Sequence, residues 1–440
     1  MKPLTRYNRR QFLRQTALGG SLAGTAPAFI ASTFHQLHAQ ADARATAAVT
    51  GKDGPILVVL QLAGGNDGLN TLVPYSNDDY HRARPNLGLK APEVLKLNDH
   101  FGFHPGLRGF QEFHDAGQLA ILHAVGYPNP NRSHFRSTEI WATATDSQRV
   151  ERHGWIGRYF DHACAGADPT VGIAIGRQLP QAFGARVPKG ISLDNPNAYR
   201  FMEGDVGDDG EEKTYREMAE GVDPSQLIGN SGGSIGSLAG RAQADVDPID
   251  FLERTALAAQ ISSDRIRSVA DRVPTVATYP SGSLAQSLKL VAKLIGGQLG
   301  TRVFYVSQGG YDTHTNQRAN HERLLRELGD SLRAFMQDLK AQGSQDQVLV
   351  MTFSEFGRRV RENASAGTDH GAGAPLFIIG SRVKPGFHGT PPGLATAQRI
   401  NGDVRFSTDF RQVYGTILEH WLKTASSPVL GRSFPRLDFI

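Results

Sequence analysis

The sequence contains a single cysteine, Cys164, among its 440 residues. One thiol excludes an internal disulfide and any zinc site built from cysteines. Beyond the N-terminus no apolar run is long enough to predict a membrane-spanning helix, and no repeat of fixed period is present. A chain without disulfides must be held by its hydrophobic core, and roughly 400 residues can bury a large one.

The N-terminus has the features of an export signal. "NRRQFLR" (residues 8–14) resembles a twin-arginine motif, a modest apolar stretch follows from Thr16 to Ala31, and "AQA" (residues 39–41) offers a small-residue cleavage site. The alternative is an ordinary basic N-terminal helix. The order of the three features favours a signal peptide over residues 1–41, the twin-arginine export machinery as a partner, and a periplasmic or secreted protein.

The charge balance gives no sign of a nucleic-acid partner. The formal net charge is +4, but five of the 47 Lys and Arg side chains lie in residues 1–41, which contain no acidic residue. The rest of the chain therefore carries 42 basic and 43 acidic side chains. A nucleic-acid-binding surface needs an excess of basic side chains, which this part of the chain lacks.

Apolar runs of strand length alternate with segments of helical periodicity. The predicted strands are Ile56–Leu62, Leu119–Val125, Val303–Val306, Val348–Phe353 and Leu376–Ile379. The predicted helices are Pro105–Ala116, Asp250–Val273, Leu284–Leu299, Asn320–Gln342 and Phe410–Leu422. This alternation predicts one α/β domain over residues 50–440, with a doubly wound, mostly parallel sheet and helices on both faces. The acidic and glycine-rich residues 203–248 interrupt the pattern and are interpreted as an insertion.

Two glycine-rich stretches match known motifs poorly. Gly64–Gly68 has the wrong spacing for a dinucleotide-binding turn, and Pro74 follows too soon for a helix to receive a pyrophosphate. Gly229–Gly233 fits the G-x-S-x-G pattern of serine hydrolases, but its flanks predict neither the strand nor the helix that this motif requires. A metal-free serine hydrolase is the weakest of the functional hypotheses, because no triad-like His and Asp can be placed from the sequence.

Acidic and imidazole side chains follow the predicted strands closely. The candidate metal ligands are Asp67, Asp312, His314, Glu355 and His370. Because ligands of open α/β sheets bind at the carboxyl ends of the strands, we expect these side chains to converge there. Oxygen and imidazole donors suit a divalent metal, zinc first, with manganese, iron, calcium or magnesium as alternatives. Each residue also has a structural interpretation, such as a turn cap or an ion pair of Glu355 with a neighbouring arginine.

A candidate nucleophile lies where "YPNPNRSHF" leads into a predicted helix. Ser133 is placed at the helix N-terminus, whose free N–H groups and dipole stabilise negative charge. Arg132 and Arg136 are expected to bind the oxygens of a phosphate or sulfate, and Asn66 is a further substrate-binding candidate. Ser133 as a simple N-cap is an equally good interpretation. His134 is expected to act as a general base or as a donor to the anion.

Six motifs in this order resemble a family of twin-arginine-exported bacterial proteins, the domain-of-unknown-function family fifteen-oh-one. They are "LAGGNDGLNTLVPY", "VGYPNPNRSHF", "GGYDTHTNQ", "TFSEFGRR", "GTDHGAGAPLFIIG" and "TDFRQVYGTILEHWL", between about Pro55 and Leu422. That family is in turn similar to the alkaline phosphatase and sulfatase superfamily. The resemblance implies a three-layer sandwich, a nucleophile at Ser133, one metal at Asp312, His314 and His370, and a second at Asp67 and Glu355.

The chain also departs from the superfamily pattern. Asp312 and His314 are closer in sequence than the usual pair, Phe356 stands where a histidine ligand is expected, and no Cys/Ser-x-Pro-x-Arg segment is present. A formylglycine sulfatase is therefore not expected. The sequence predicts an exported metal-dependent hydrolase of phosphate or sulfate esters, acting on a small-molecule or glycan ester. The alternative is a catalytically inactive, hydrolase-like periplasmic binding or assembly protein.

Overall fold

The structure is a computed structural model that describes residues 54–165, 167–186, 189–194 and 266–440. Several predicted features lie outside these residues: the signal peptide at 1–41, the insertion at 203–248, the G-x-S-x-G match at 229–233 and the first part of the helix at 250–273. Residues 266–272 of that predicted helix are helical.

The strands of the described residues include all five that the sequence predicts. They are β1 (Ile56–Leu62), β2 (Leu72–Val73), β3 (Leu95–Lys96), β4 (Gly102–Phe103), β5 (Leu119–Gly126), β6 (Gly172–Ile175), β7 (Ile191–Leu193), β8 (Val303–Gln308), β9 (Val348–Phe353), β10 (Ala374–Ile379), β11 (Gly386–His388) and β12 (Thr408–Asp409). Two of the predicted strands, β1 and β9, have the predicted bounds at both ends. The short strands β2, β3 and β4 form a separate small sheet.

The main sheet of the described chain has nine strands and is mostly parallel. Its order is β11-β5-β10-β9-β1-β8-β6-β7, with β12 pairing beside β5. Strand β1 pairs in parallel with β8 and with β9, and only β10 runs antiparallel to its neighbours β5 and β9. The structure thus confirms the predicted sheet.

Helices cover the sheet. They are α1 (Gly68–Thr71), α2 (Asp78–Ala83), α3 (Arg108–Asp115), α4 (His134–Thr143), α5 (Trp155–Ala163), α6 (Ser283–Gly296), α7 (Gln317–Ala341), α8 (Phe410–Thr416) and α9 (Ser426–Leu430). Helix α8 continues as a π-helical turn over Ile417–Trp421. Within the ranges that the structure describes, no helix combines the length and apolar character needed to cross a bilayer.

The two faces of the sheet carry separate hydrophobic cores. Because side chains alternate along a strand, Leu57 and Val59 of β1 pack with α4, α5 and α8. Val58 and Leu60 point the other way and pack with α3, α6 and α7. Burial of each such side chain contributes about 1.5–3 kcal/mol. The fold is therefore the predicted three-layer sandwich, with helices on both faces.

Five loops meet at one edge of the sheet, here called the carboxyl edge. Strands β1, β5, β8 and β9 run in the same direction and end there, and the antiparallel β10 begins there. The loops are residues 63–67, 127–133, 309–316, 354–359 and 368–373. The topology therefore brings together segments that are up to about 300 residues apart in the chain, as the rule for open α/β sheets predicts.

The glycine turn after β1 allows these loops to approach closely. Gly64 has a φ of +117°, and a Cβ atom built on it would lie 2.5 Å from the backbone N of Asp312. Gly65 has a φ of +73°, and its Cβ would lie 2.3 Å from the ring of Phe356. Both positions therefore require glycine, for backbone conformation and for space.

His123 of β5 is a buried histidine that stays neutral in the folded protein. Its ring stacks on Phe387, with 5.2 Å between ring centroids, and also contacts Phe101. Burial lowers its pKa to about 4. The unfolded chain binds a proton at His123 near pH 6.5, whereas the folded chain does not, so this residue destabilises the fold as the pH falls from about 6.5 to about 4.

We predict that His123→Phe reduces the acid sensitivity of the fold. Between pH 6.5 and 5 the wild type should lose about 1.5 kcal/mol more unfolding free energy than the variant, at up to about 1.4 kcal/mol per pH unit. Urea unfolding in the presence of a chelator measures both curves. Identical pH dependence in the two proteins would show that His123 is not held neutral.

Candidate metal centre at the carboxyl edge

Three histidines surround one carboxylate oxygen at the carboxyl edge. The Oδ1 atom of Asp312 lies 2.9 Å from Nε2 of His314, 3.0 Å from Nε2 of His370 and 3.5 Å from Nε2 of His134. The Nε2 atoms of His314 and His370 are 2.9 Å apart. We call these four residues the histidine–aspartate cluster. The sequence predicted three of them as metal ligands, whereas it predicted His134 as a base or an anion donor.

The Nδ1 atom of each imidazole faces an oxygen outside the cluster. For His134 it is Oε1 of Glu355 at 2.7 Å, for His314 it is Oδ1 of Asp369 at 3.2 Å, and for His370 it is the backbone carbonyl of Arg132 at 2.8 Å. Carboxylates and carbonyls accept hydrogen bonds, so these contacts favour the tautomer with the proton on Nδ1. In that tautomer the Nε2 lone pair of each ring points into the cluster.

His134, Asp312 and His370 are placed as ligands of one divalent metal ion would be. The buried Nε2 of His134 has no hydrogen-bond partner in the described structure. One ligand atom from each of His134, Asp312 and His370 lies within 4.8 Å of the other two. Donors that bind one zinc tetrahedrally are about 3.3 Å apart, close to the separations seen here. In such sites the ring nitrogen of each histidine that does not bind the metal usually donates a hydrogen bond to a carboxylate or a carbonyl, as the Nδ1 contacts do here.

Asp312 is ionised, as a ligand requires. Its partial burial alone would raise its pKa, but the hydrogen bond and the positive charge of Arg358 outweigh that effect and help to hold the pKa at about 2. The carboxylate side chain is 47% exposed. The cluster is therefore accessible from solvent on the side of Asp312.

Arg358 supports the cluster from the buried side. Its guanidinium is fully buried and donates 2.6 Å to Oδ1 of Asp312. It also donates to backbone carbonyls of three loops, at Gly65 (2.6 Å), Tyr311 (2.9 Å) and Thr368 (2.7 Å). The planar fork of arginine can serve several acceptors at once. In the sequence Arg358 is only a neighbour of Glu355, and no local signal identifies this role.

Asp67 lies outside the cluster, which differs from its expected role. The carboxylate is completely buried, and both oxygens accept from Arg84, at 2.6 and 2.8 Å. Although burial raises the pKa of Asp67, the charge and hydrogen bonds of Arg84 outweigh it and keep the pKa below the usual value. Gln317 donates to the same carboxylate. Asp67 is thus neutralised by Arg84 within the protein. The glycine turn before it allows the loops to pack closely, and it does not direct the Asp67 carboxylate toward the cluster.

Glu355 also differs from its predicted position as a ligand. Its side chain is 2% exposed, and its Oε1 accepts from the backbone N–H of Gly64 at 2.8 Å as well as from His134. It therefore lies behind His134, on the side away from Asp312. The neighbouring Phe356 packs its ring on His134 and His370, with centroid distances of 4.8 and 4.7 Å, and forms an apolar wall of the cluster.

The candidate nucleophile is accessible, whereas Asn66 is not. Ser133 is exposed at the N-cap of α4, and its hydroxyl makes no capping hydrogen bond. Its backbone N–H donates to Asn131. Asn66 is buried among Thr71 and His321, with which its amide group shares hydrogen bonds, so no surface of it faces the solvent side of the cluster.

Both candidate anion-binding arginines have partners within the protein. Arg132 donates through Nε (2.9 Å) and a terminal nitrogen (2.5 Å) to Oδ2 of Asp403. Arg136 donates to the carbonyls of Ser147 at 3.0 Å and Arg149 at 2.8 Å. These contacts occupy part of each guanidinium, and the side chain of Arg132 remains 38% exposed.

Comparison with known proteins supports the family resemblance over part of the chain. Residues 253–420 match the model of a family described as "Protein of unknown function (DUF1501)". This segment contains three of the four residues of the histidine–aspartate cluster, Asp312, His314 and His370. No functionally curated protein matches the chain.

Solved structures with a similar chain path are distant. Ps i-CgsB in complex with k-i-k-neocarrahexaose is 10% identical, with 87% of this chain and 73% of that chain covered and a TM-score of 0.35. The lipoteichoic acid synthase LtaP from Listeria monocytogenes is 9% identical (86% and 79% covered, TM-score 0.33). A protein in the alkaline phosphatase superfamily from Vibrio parahaemolyticus is 10% identical (93% and 78% covered, TM-score 0.34). Likeness at this level assigns no activity to the chain.

We predict that Arg358→Lys destabilises the protein by about 3 kcal/mol, because a lysine leaves several buried carbonyls without a donor. Urea unfolding at pH 7 measures this loss. Arg359→Lys is the matched control: its guanidinium is half-exposed and lies 3.5 Å from Asp403, so we expect a loss below about 1 kcal/mol. Equal losses in the two variants would contradict the role given to Arg358.

We predict that Asp67→Asn lowers the unfolding free energy by about 3–5 kcal/mol, because it leaves the buried guanidinium of Arg84 without its anion. The amount of zinc bound per folded chain, measured by elemental analysis, should stay the same. Loss of bound zinc with unchanged stability would instead make Asp67 a metal ligand, as the superfamily resemblance implies.

Proposed function

We propose that this protein is a metal-dependent hydrolase of phosphate or sulfate esters, with the ion held by the histidine–aspartate cluster. The observation that carries the proposal is the set of three imidazoles whose Nδ1 atoms face oxygens and whose Nε2 atoms face Oδ1 of Asp312. Imidazoles that are hydrogen-bonded through Nδ1 and face a carboxylate with Nε2 have the usual arrangement of histidine ligands in a metal site.

The donor set narrows the choice of metal. Three imidazole nitrogens and one carboxylate oxygen are typical of zinc, manganese or iron sites. Calcium and magnesium prefer oxygen ligands, and this cluster offers one. We therefore rank zinc first, then manganese and iron, and expect calcium and magnesium to bind weakly.

The residues around the cluster indicate which groups would take part in hydrolysis. A divalent ion in the cluster would act as a Lewis acid that stabilises negative charge on an ester group. Ser133 directly precedes His134 and has a solvent-exposed hydroxyl free of the helix cap, so it is the candidate nucleophile. His134 is a poor general base here, because its Nδ1–H is donated to Glu355 and its Nε2 faces Asp312.

Export completes the proposal. The motif at residues 8–14 and the cleavage site at residues 39–41 support transport by the twin-arginine machinery to the periplasm or outside the cell. That route carries folded proteins, which suits a protein that takes up its metal before export. Its substrate would then be an anionic small molecule or glycan ester.

A second candidate function is a hydrolase-like binding or assembly protein that holds a metal without turnover. The observation that favours it is the engagement of Arg132 by Asp403 and of Arg136 by backbone carbonyls. With both arginines partly engaged, a phosphate or sulfate would rely more on the metal ion and on the N-terminus of α4 for binding. Measured turnover separates the two functions.

We predict that Asp312→Ala and His370→Ala each remove bound metal and abolish hydrolysis, because each removes a donor from the centre of the cluster. Elemental analysis of the purified full chain measures the metal, and a panel of aryl phosphates and aryl sulfates measures turnover. The matched control is His100→Ala, since His100 is exposed and outside the cluster; it should keep both metal and activity.

The outcomes of this experiment separate the hypotheses. A wild type that binds one metal ion but hydrolyses no member of the panel would support the non-catalytic function. A wild type that hydrolyses the panel in a strong chelator, with no metal bound, would contradict both the metal centre and the role of the cluster. Ser133→Ala then distinguishes attack by the hydroxyl, for which the rate should fall at least about 100-fold, from attack by water.

A further inference from the structure

We infer that Glu355 is a positioning residue that sets the metal affinity of the cluster by fixing the orientation and the tautomer of His134. This inference rests on the proposed metal site. It replaces the sequence-based expectation that Glu355 itself binds the metal, and it gives the buried acidic residue behind the cluster a specific chemical task.

The position of Glu355 is fixed from two sides. Its Oε1 accepts from the backbone N–H of Gly64 at 2.8 Å and from Nδ1 of His134 at 2.7 Å. The turn at Gly64 packs against the backbone of residues 311–312 so closely that a side chain at position 64 would collide with it. The carboxylate therefore cannot turn toward Asp312 without breaking a hydrogen bond to a rigid backbone turn.

This contact selects one tautomer of His134. A neutral imidazole carries its proton on either nitrogen, and a carboxylate acceptor at Nδ1 retains the proton there. The ring also packs on Phe356, which restricts its rotation. Nε2 is thereby left as a lone pair 3.5 Å from Oδ1 of Asp312. Without Glu355 the opposite tautomer would place an N–H in the cluster, where a metal ligand must have a lone pair.

The three histidines are not oriented with equal strength. His134 is held by a carboxylate that is 2% exposed, whereas His314 is held by Asp369, which is 52% exposed. His370 is held by the neutral carbonyl of Arg132. Electrostatic interactions are stronger away from water, so the buried Glu355 should hold its imidazole in place more strongly than the exposed Asp369 does.

The test compares zinc affinity in matched variants of the full chain by competition with a chelator. We expect Glu355→Gln, which keeps an acceptor but removes the charge, to weaken zinc binding by about 10-fold. Glu355→Ala, which removes both, should weaken it by about 100-fold. Asp369→Asn should weaken it by less than about 3-fold, because solvent screens that carboxylate.

A control variant and a second readout keep the test specific. Glu362→Gln changes a carboxylate that binds the amides of Asn86 and Leu87 outside the cluster, and it should leave zinc affinity unchanged. In metal-free protein, imidazole nitrogen NMR should show His134 protonated at Nδ1 in the wild type and a mixture of tautomers in Glu355→Ala. Wild-type His134 protonated at Nε2 would overturn the inference, even if Glu355→Ala failed to fold.

Failure of the inference differs from failure of the proposed function. A wild type that binds zinc with the same affinity as Glu355→Gln and Glu355→Ala would overturn the role of Glu355 and leave the metal centre intact. A wild type that binds no zinc, manganese or iron would overturn the metal centre. The tautomer measurement would then still decide whether Glu355 fixes the protonation of His134.

Discussion

The buried guanidinium of Arg358 is the contact on which the arrangement of the carboxyl edge depends. Loops are normally held at the surface because their carbonyls need water. Here the carbonyls of Gly65, Tyr311 and Thr368 accept from one cation, which allows three loops to pack together beneath the cluster. The same cation pairs with Asp312. One side chain therefore provides both the packing of the loops and the ionised state of the carboxylate at the centre of the cluster.

Two aspartate–arginine pairs at this edge have different consequences because they differ in exposure. Asp67 and Arg84 are both completely buried and satisfy each other with two hydrogen bonds. That pair fixes geometry but leaves no oxygen for a ligand. Arg358 contacts Oδ1 of Asp312 from the buried side, while the Asp312 side chain remains 47% exposed to solvent. Only the second carboxylate combines a held position with an open side, so of the two only Asp312 can reach a ligand from solvent.

The sequence predicted what periodicity and topology control. The bounds of β1 and β9 were predicted correctly at both ends. The rule that ligands of open α/β sheets bind at the carboxyl ends of the strands was enough to predict that Asp312, His314 and His370 lie at one edge. The sequence could not predict pairings that depend on side-chain packing across the fold. Arg84 neutralises Asp67, and the contact of His134 with Glu355 joins residues 221 positions apart. Neither contact has a local signal, so a structural aspartate was predicted as a ligand and a cluster histidine as a base.

The apolar ring of Phe356 has a consequence for how many ions the edge can hold. It lies against His134 and His370, at the position where the superfamily resemblance implies another histidine, and it offers no donor. Glu355 beside it is turned to the backbone of Gly64, and Asp67 is bound to Arg84. Asp67 and Phe356 therefore offer no donor to a second ion, whereas Oε2 of Glu355 is buried without a hydrogen-bond partner in the described structure. We expect the edge to bind one ion, because a single carboxylate oxygen is too small a donor set for a second.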